Sequence, residues 1–252
     1  MAKVFLSAGH GGKDPGAVAN GLKEKDVVLD IMLACRDELK RNGVTVYTSR
    51  TRDENDPVEE EVKEANRSGA EVSVSFHANA GRGDGSETYY YSSDKKGKRL
   101  AELCEAETKK IGQNSRGVKS GNGLWWIRKT NMTAVLCECA FVDNKKDKSI
   151  IDTKEERRKF GVAYAKAILK YLDVEYSKPT PKPTTPKPSS KYYKRYTGNS
   201  GSIVVGLNAI GVDSSFSNRR KIAKKNGISV YMGTASQNIK LLNLLKQGKL
   251  KK

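Results

Sequence analysis

The stretch KVFLSAGHGGKDPG, residues 3–16, sets the reading of the whole chain. Its first half is a short apolar run with β-branched and aromatic members, which predicts a buried strand. Its second half places one of only two histidines, His10, among glycines directly after that strand. The second histidine, His77, stands in the same kind of place, just past the strand-like EVSVS in SFHAN. If both strands run the same way in one sheet, the two imidazoles meet at its edge. Gly9, Gly11 and Gly12 then let backbone and ligand come close.

Around these strands, helical and extended patterns alternate. EKDVVLDIMLACRDELKRNG (24–43) predicts a helix, with Val28, Ile31, Met32, Cys35 and Leu39 at helical spacing and a stop at Asn42-Gly43. VTVYTSR (44–50), SETYYYSS (86–93) and AVLCECAF (134–141) read as strands. VEEEVKEANRSG (58–69), GKRLAELCEAETKKIG (97–112) and TKEERRKFGVAYAKAILKYL (153–172) read as helices. Such alternation predicts an α/β region whose largely parallel or mixed sheet is covered on both faces, with sites at the strand ends.

Five of the seven prolines fall within SKPTPKPTTPKPSS, residues 177–190, a composition of extended linkers that packs no core. Three domains of organisation follow: 1–175, a linker at 176–191, and a small all-α region at 192–252. In the last, SIVVGLNAIG, SNRRKIAKKNG and TASQNIKLLNLLKQG predict three short helices. Their core would be Ile203, Val204, Leu207, Ile210, Ile222, Ala223, Ile228, Leu241, Leu242 and Leu245.

The net charge of +18 is uneven: residues 176–252 hold sixteen Lys and Arg against one acid, Asp213. A field of that sign gathers polyanions: nucleic acid, anionic membrane or phosphate-rich wall polymers. No apolar run approaches the roughly 20 residues of a membrane span. The N-terminus lacks the long apolar core and cleavage site of a signal peptide, so the expectation is a protein made in the cytoplasm. Four scattered cysteines, Cys35, Cys104, Cys137 and Cys139, read as reduced, buried thiols rather than a disulfide framework. Nucleic acid is not the expected partner: Tyr192, Tyr193 and Tyr196 in KYYKRY offer a little of the aromatic interleaving a stacking surface needs, but no nucleic-acid motif appears. The glycine loop lacks the Walker spacing, which argues against a nucleotide.

Two further residues complete the candidate site. Glu24 opens the long helix, where an acid commonly serves the helix dipole alone. Together with His10 and His77, however, it makes a ligand set suited to catalytic zinc, three protein groups with a fourth position for water. On AVLCECAF, Ala134, Leu136, Glu138 and Ala140 share one face, so Glu138 is a carboxylate in an apolar stripe. Burying it is costly without a cation, a metal or a catalytic task. A structural salt bridge and a general base both remain open for it.

GHGGKDPGA, then Glu24-Lys25, then SFHAN, then LCECAFVDN together resemble the zinc-dependent N-acetylmuramoyl-L-alanine amidases over residues 1–174. These enzymes cut the amide joining muramic acid to the stem peptide of peptidoglycan. The resemblance implies a twisted mixed sheet flanked by helices, zinc (Zn2+) on His10, Glu24 and His77, and Glu138 as the catalytic glutamate. Two departures stand out. The family commonly reads D-P-G-H where Ser7-Ala8-Gly9-His10 stands here, and it places a proline where this chain has Met132-Thr133. Trp125-Trp126 are expected to pack in the core rather than stack on sugar. Residues 205–228 and 231–250 resemble C-terminal modules of lysins from phages of Gram-positive hosts, which implies attachment to the wall. The whole reads as an endolysin that acts on peptidoglycan at the bacterial wall, its basic tail on anionic wall polymers. A binding protein of the same fold without turnover is the alternative.

Overall fold

The computed structural model describes residues 2–178 and 191–252. It divides into two compact units, Met1–Lys178 and Pro179–Lys252. Most of the proline-rich stretch read as a linker lies outside the described residues.

In the first unit the chain runs β1 (Lys3–Ala8), a two-residue hairpin β2 (Val18–Ala19) and β3 (Leu22–Lys23), then α1 (Glu24–Arg41) and β4 (Thr45–Thr48). It continues through α2 (Val58–Arg67), β5 (Val72–Asn79), β6 (Ser86–Tyr90), α3 (Lys95–Lys109) and β7 (Ser115–Ser120). It closes with α4 (Trp125–Lys129), β8 (Thr133–Phe141), α5 (Lys145–Ile151) and α6 (Lys154–Tyr171). The six-stranded sheet has the order β4-β1-β5-β8-β6-β7. Only the β6–β8 pair is antiparallel, so the sheet is mixed, as expected.

Strand alternation sorts the side chains onto two faces. Val4, Leu6, Val74, Phe76, Val135 and Cys137 meet α1, α3 and α6 in the main core. Phe5, Ala134 and Leu136 meet α2 and α4 in a smaller one, with Trp126 and Ile127. The second face is polar toward the strand ends: Ser7, Ser75, His77 and Glu138 lie along it. The apolar cover thins there, and a cleft opens. All four cysteines are free and buried, as their small apolar character predicts.

The structure contains pieces the sequence reading lacked. β7, SRGVKS, offers one apolar residue, Val118, and so carries no alternation to read. α4 and α5, of five and seven residues, are too short to show a helical period. The tryptophan expectation holds for one ring only. Trp126 is buried and donates from Nε1 to the Val135 carbonyl, whereas Trp125 is 41% exposed beside Arg128 and Lys129.

The second unit forms the three expected helices, α7 (Ile203–Ala209), α8 (Phe216–Lys225) and α9 (Ala235–Lys246). Ser215 caps α8, and Thr234 with Gln237 forms a capping box on α9. Of the expected core, Val204 and Ile210 sit at its margin, and Tyr196, Tyr231 and Leu250 join it. Among the described residues, no helix is long and apolar enough to cross a membrane.

Candidate metal centre

β1 and β5 are adjacent and parallel, with Ala8 opposite Phe76, so the chain leaves both strands at the same edge. His10 follows β1 with φ of 63°, a left-handed conformation uncommon for a residue with a side chain. Gly9 lets the two strand ends close up, because a Cβ there would lie 2.2 Å from the His77 ring. Gly16 serves the carboxylate in the same way: its φ is +64°, and a Cβ would lie 2.6 Å from Glu24 Oε2.

Three donors converge as a result. Glu24 Oε1 lies 3.1 Å from His10 Nε2 and 3.0 Å from His77 Nδ1. One ligand atom from each of the three residues lies within 4.8 Å of the others. Glu24 is only 5% exposed and also accepts from the Ala17 and Ala78 backbone N–H groups. Burial works to raise its pKa, but hydrogen bonds from His10 and His77 outweigh this and hold it well below the usual carboxylate range. The hydrogen bond to Glu24 in turn raises His10 to about 9, against the effect of burial and with help from Asp14. Burial works to lower His77, yet Glu24 and Glu138 leave it raised. A buried carboxylate that draws positive charge onto both neighbours, with two nitrogen donors at hand, is a donor set that fits a divalent ion.

Asp14 was not singled out in the sequence. Its Oδ2 lies 2.8 Å from His10 Nδ1, and its Oδ1 accepts from Gly16 N–H. It therefore fixes the ring so that Nε2 faces the cluster, the usual duty of a carboxylate behind a metal-binding histidine. Asp14→Ala is expected to weaken metal affinity by about 10- to 100-fold, measured by competition with a chromophoric chelator.

Arg50 was missed too. It is 2% exposed and donates to the carbonyls of Ala8, Gly9, Lys25 and Arg52. One guanidinium thus ties the His10 loop to the first turn of α1. Lys25 adds bonds to the Gly12 carbonyl and to Asp53.

Glu138 lies beside His77 in the β5–β8 register and therefore on the same face. Its Oε2 is buried and has no hydrogen-bond partner among the described residues. Burial, first of all, raises its pKa to about 7; His77 pulls the other way and Glu24 adds to the rise. No ion pair to Glu138 is found among the described residues, so the salt-bridge alternative gains no support.

A second buried carboxylate faces the cleft, a space of about 320 Å³ lined by His10, Asp14, Asp56, Glu61 and His77 among others. Glu61 accepts from Ser7 Oγ at 2.9 Å, so the departure from D-P-G-H at position 7 has its partner in α2. Burial, then Asp56, raises Glu61 to about 7. Its folded pKa lies above the ordinary 4.5, so folding favours the protonated form. The cost is absent below pH 4.5, grows as pH rises, and is complete above about 7. Glu61→Gln is thus expected to stabilise the metal-stripped protein at pH 8 by on the order of 2–3 kcal/mol, with little gain at pH 5, as read by thermal melts.

The comparisons agree with this architecture. The family profile described as N-acetylmuramoyl-L-alanine amidase matches residues 4–170. An endolysin of Bacillus phage SPP1 is 36% identical over 181 residues, covering 68% of this chain and 66% of that protein. The solved catalytic domain of CwlV, an N-acetylmuramoyl-L-alanine amidase from Bacillus (Paenibacillus) polymyxa var. colistinus, superposes with a TM-score of 0.65 at 33% identity, over 69% of this chain and all of that one. The N-acetylmuramoyl-L-alanine amidase AmiC2 of Nostoc punctiforme gives 0.65 at 32% identity, over 68% and 97%. Sheet order, the convergence of His10, Glu24 and His77, and these likenesses all bear on the same region, and the chain belongs to the N-acetylmuramoyl-L-alanine amidase family.

Proposed function

We propose that this chain hydrolyses the amide between N-acetylmuramic acid and the L-alanine that begins the stem peptide, with zinc held by His10, Glu24 and His77. The observation that carries this reading is the meeting of two imidazoles and a buried carboxylate within 4.8 Å, beside the half-buried Glu138, whose Oε2 lacks a hydrogen-bond partner among the described residues. When bound, zinc supplies a Lewis acid that polarises the amide carbonyl and acidifies water.

Glu138 does the proton work. Its carboxylate takes a proton from the attacking water as the water oxygen bonds to the carbonyl carbon. The C–N bond then breaks, and Glu138 returns the proton to the L-alanine nitrogen. A pKa near 7 suits a group that must both accept and give back a proton near neutral pH. Asp14, Gly9 and Arg50 keep the donors in place.

The second unit serves as the wall-binding module in this reading. Its charge, with Arg219, Arg220, Lys221, Lys224 and Lys225 clustered on or beside one helix, draws it to anionic wall polymers. Attachment there raises the local concentration of the catalytic unit on an insoluble substrate. The likeness to a phage endolysin supports a role in opening the bacterial wall from which the phage is released.

Digestion of purified peptidoglycan tests the reaction. Free stem peptides with new L-alanine N-termini, and no new reducing sugar ends, are the expected products. New reducing ends, or new N-termini at another residue, would assign a different bond.

A further inference from the structure

Beyond Glu138 the site face continues onto β6 and β7, where the proposed mechanism uses no residue. Glu87 stands directly across from Glu138 in the antiparallel β6–β8 register and is 3% exposed. Its carboxylate accepts from Tyr89 Oη at 2.6 Å, from Arg116 Nε at 2.7 Å, from Lys119 Nζ, and from Asn79 Nδ2 at 3.3 Å. Burial works to raise its pKa, but Lys119, Tyr89 and Arg116 outweigh it, and Glu87 stays charged.

Two cations therefore answer the one Glu87 carboxylate, which leaves this trio a net positive charge, with Asp84 the other acid acting on Arg116. The Arg116 and Lys119 side chains are 40% and 36% exposed, so that charge is open to a ligand. A guanidinium has five N–H donors, of which Glu87 engages Nε. The Arg116 guanidinium also lies 5.2 Å from the Phe141 ring centroid, which holds it against the sheet.

The strand order gives this charge a meaning. From β5 to β7 the site face presents His77, then Glu138, then Glu87 with its two cations. In the reaction proposed above, the leaving nitrogen takes its proton from Glu138. Glu138 serves the attacking water on its His77 side, so a nitrogen reached from its β6 side would send the peptide over β6 and β7. Because both cations reach back to Glu87, their charge stands roughly one strand spacing, about 5 Å, from the Glu138 row. Successive Cα atoms are about 3.8 Å apart, so the residue after L-alanine falls at that distance.

We propose that Arg116 and Lys119, held by Glu87, form a subsite that reads a free carboxylate on the residue following the leaving L-alanine. This rests on the amidase reading. The subsite prefers a stem peptide with glutamate at that position to one whose α-carboxylate is amidated, since a charge-assisted bond is stronger than a neutral one.

The test uses the zinc-loaded full chain and two soluble muropeptides, identical except that the residue after L-alanine is glutamate or its α-amide, isoglutamine. The parent is expected to favour the glutamate substrate about tenfold in kcat/KM, chiefly through KM. Arg116→Gln with Lys119→Gln is expected to bring the ratio to about one. Lys119→Gln alone, which leaves Arg116 on Glu87, is expected to lower the ratio partway. A parent that cleaves both substrates equally overturns the subsite and leaves the amidase reading standing. So does a variant that slows both by the same factor and keeps the ratio, because that is the mark of a structural role. A parent that cleaves neither, at any other bond included, overturns the amidase reading and the subsite together.

Discussion

Glu138→Gln is expected to slow amide hydrolysis at least roughly 100-fold, as the loss of a general base typically does, while the protein still binds walls as the parent does. Glutamine keeps the size and the hydrogen-bonding reach of the side chain but neither takes up nor returns a proton. Glu138 Oε2 already lacks a partner among the described residues, so the substitution breaks no hydrogen bond there. Because the residue is half-buried and burial raises its pKa, a neutral amide is tolerated at that place and the fold should survive. The two readouts separate cleanly: wall pelleting reports the cationic second unit, and release of stem peptides reports the proton transfer. Equal lysis by parent and variant would take Glu138 out of the mechanism.

The second large effect is expected from removal of the metal. Chelation should bring hydrolysis to background, and added zinc should restore it, because the three donors themselves supply no Lewis acid to polarise the carbonyl. His77→Ala should be inactive and should not respond to zinc, since it deletes one of three ligands. Stripped protein that lyses walls as fast as untreated protein would contradict the zinc reading outright.

How much of this was legible in the sequence differs by residue. His10 could be placed because it follows a short apolar strand and His77 because it comes late in another, where the structure keeps it inside β5; two adjacent parallel strands bring these ends together. Glu138 declared itself as a charge in an apolar stripe. The same rule would have found Glu61, which lies with Val58, Val62 and Ala65 along the inward side of α2. In a helix opening with several acids, one inward carboxylate is easily taken for a solvated one. Asp14 carries a weaker signal, four residues from His10 in a glycine-rich loop. Arg50 carries none: a cation after a strand reads as surface, and only the assembled fold shows four carbonyls around it. Glu87, Arg116 and Lys119 were hidden for a related reason. β7 has no apolar alternation, so its place at the sheet edge, and with it the charge beside Glu138, comes from its pairing with β6 and its contacts with α3, neither of which its own pattern announces.

The central claim is that His10, Glu24 and His77 hold one ion beside Glu138. Anomalous X-ray scattering at the zinc edge, on crystals of the zinc-loaded full chain, tests it most directly. The account predicts a single strong peak about 2.0–2.2 Å from a donor atom of each of the three residues. A peak elsewhere with these three side chains uncoordinated, or no peak in protein that hydrolyses peptidoglycan, would contradict it.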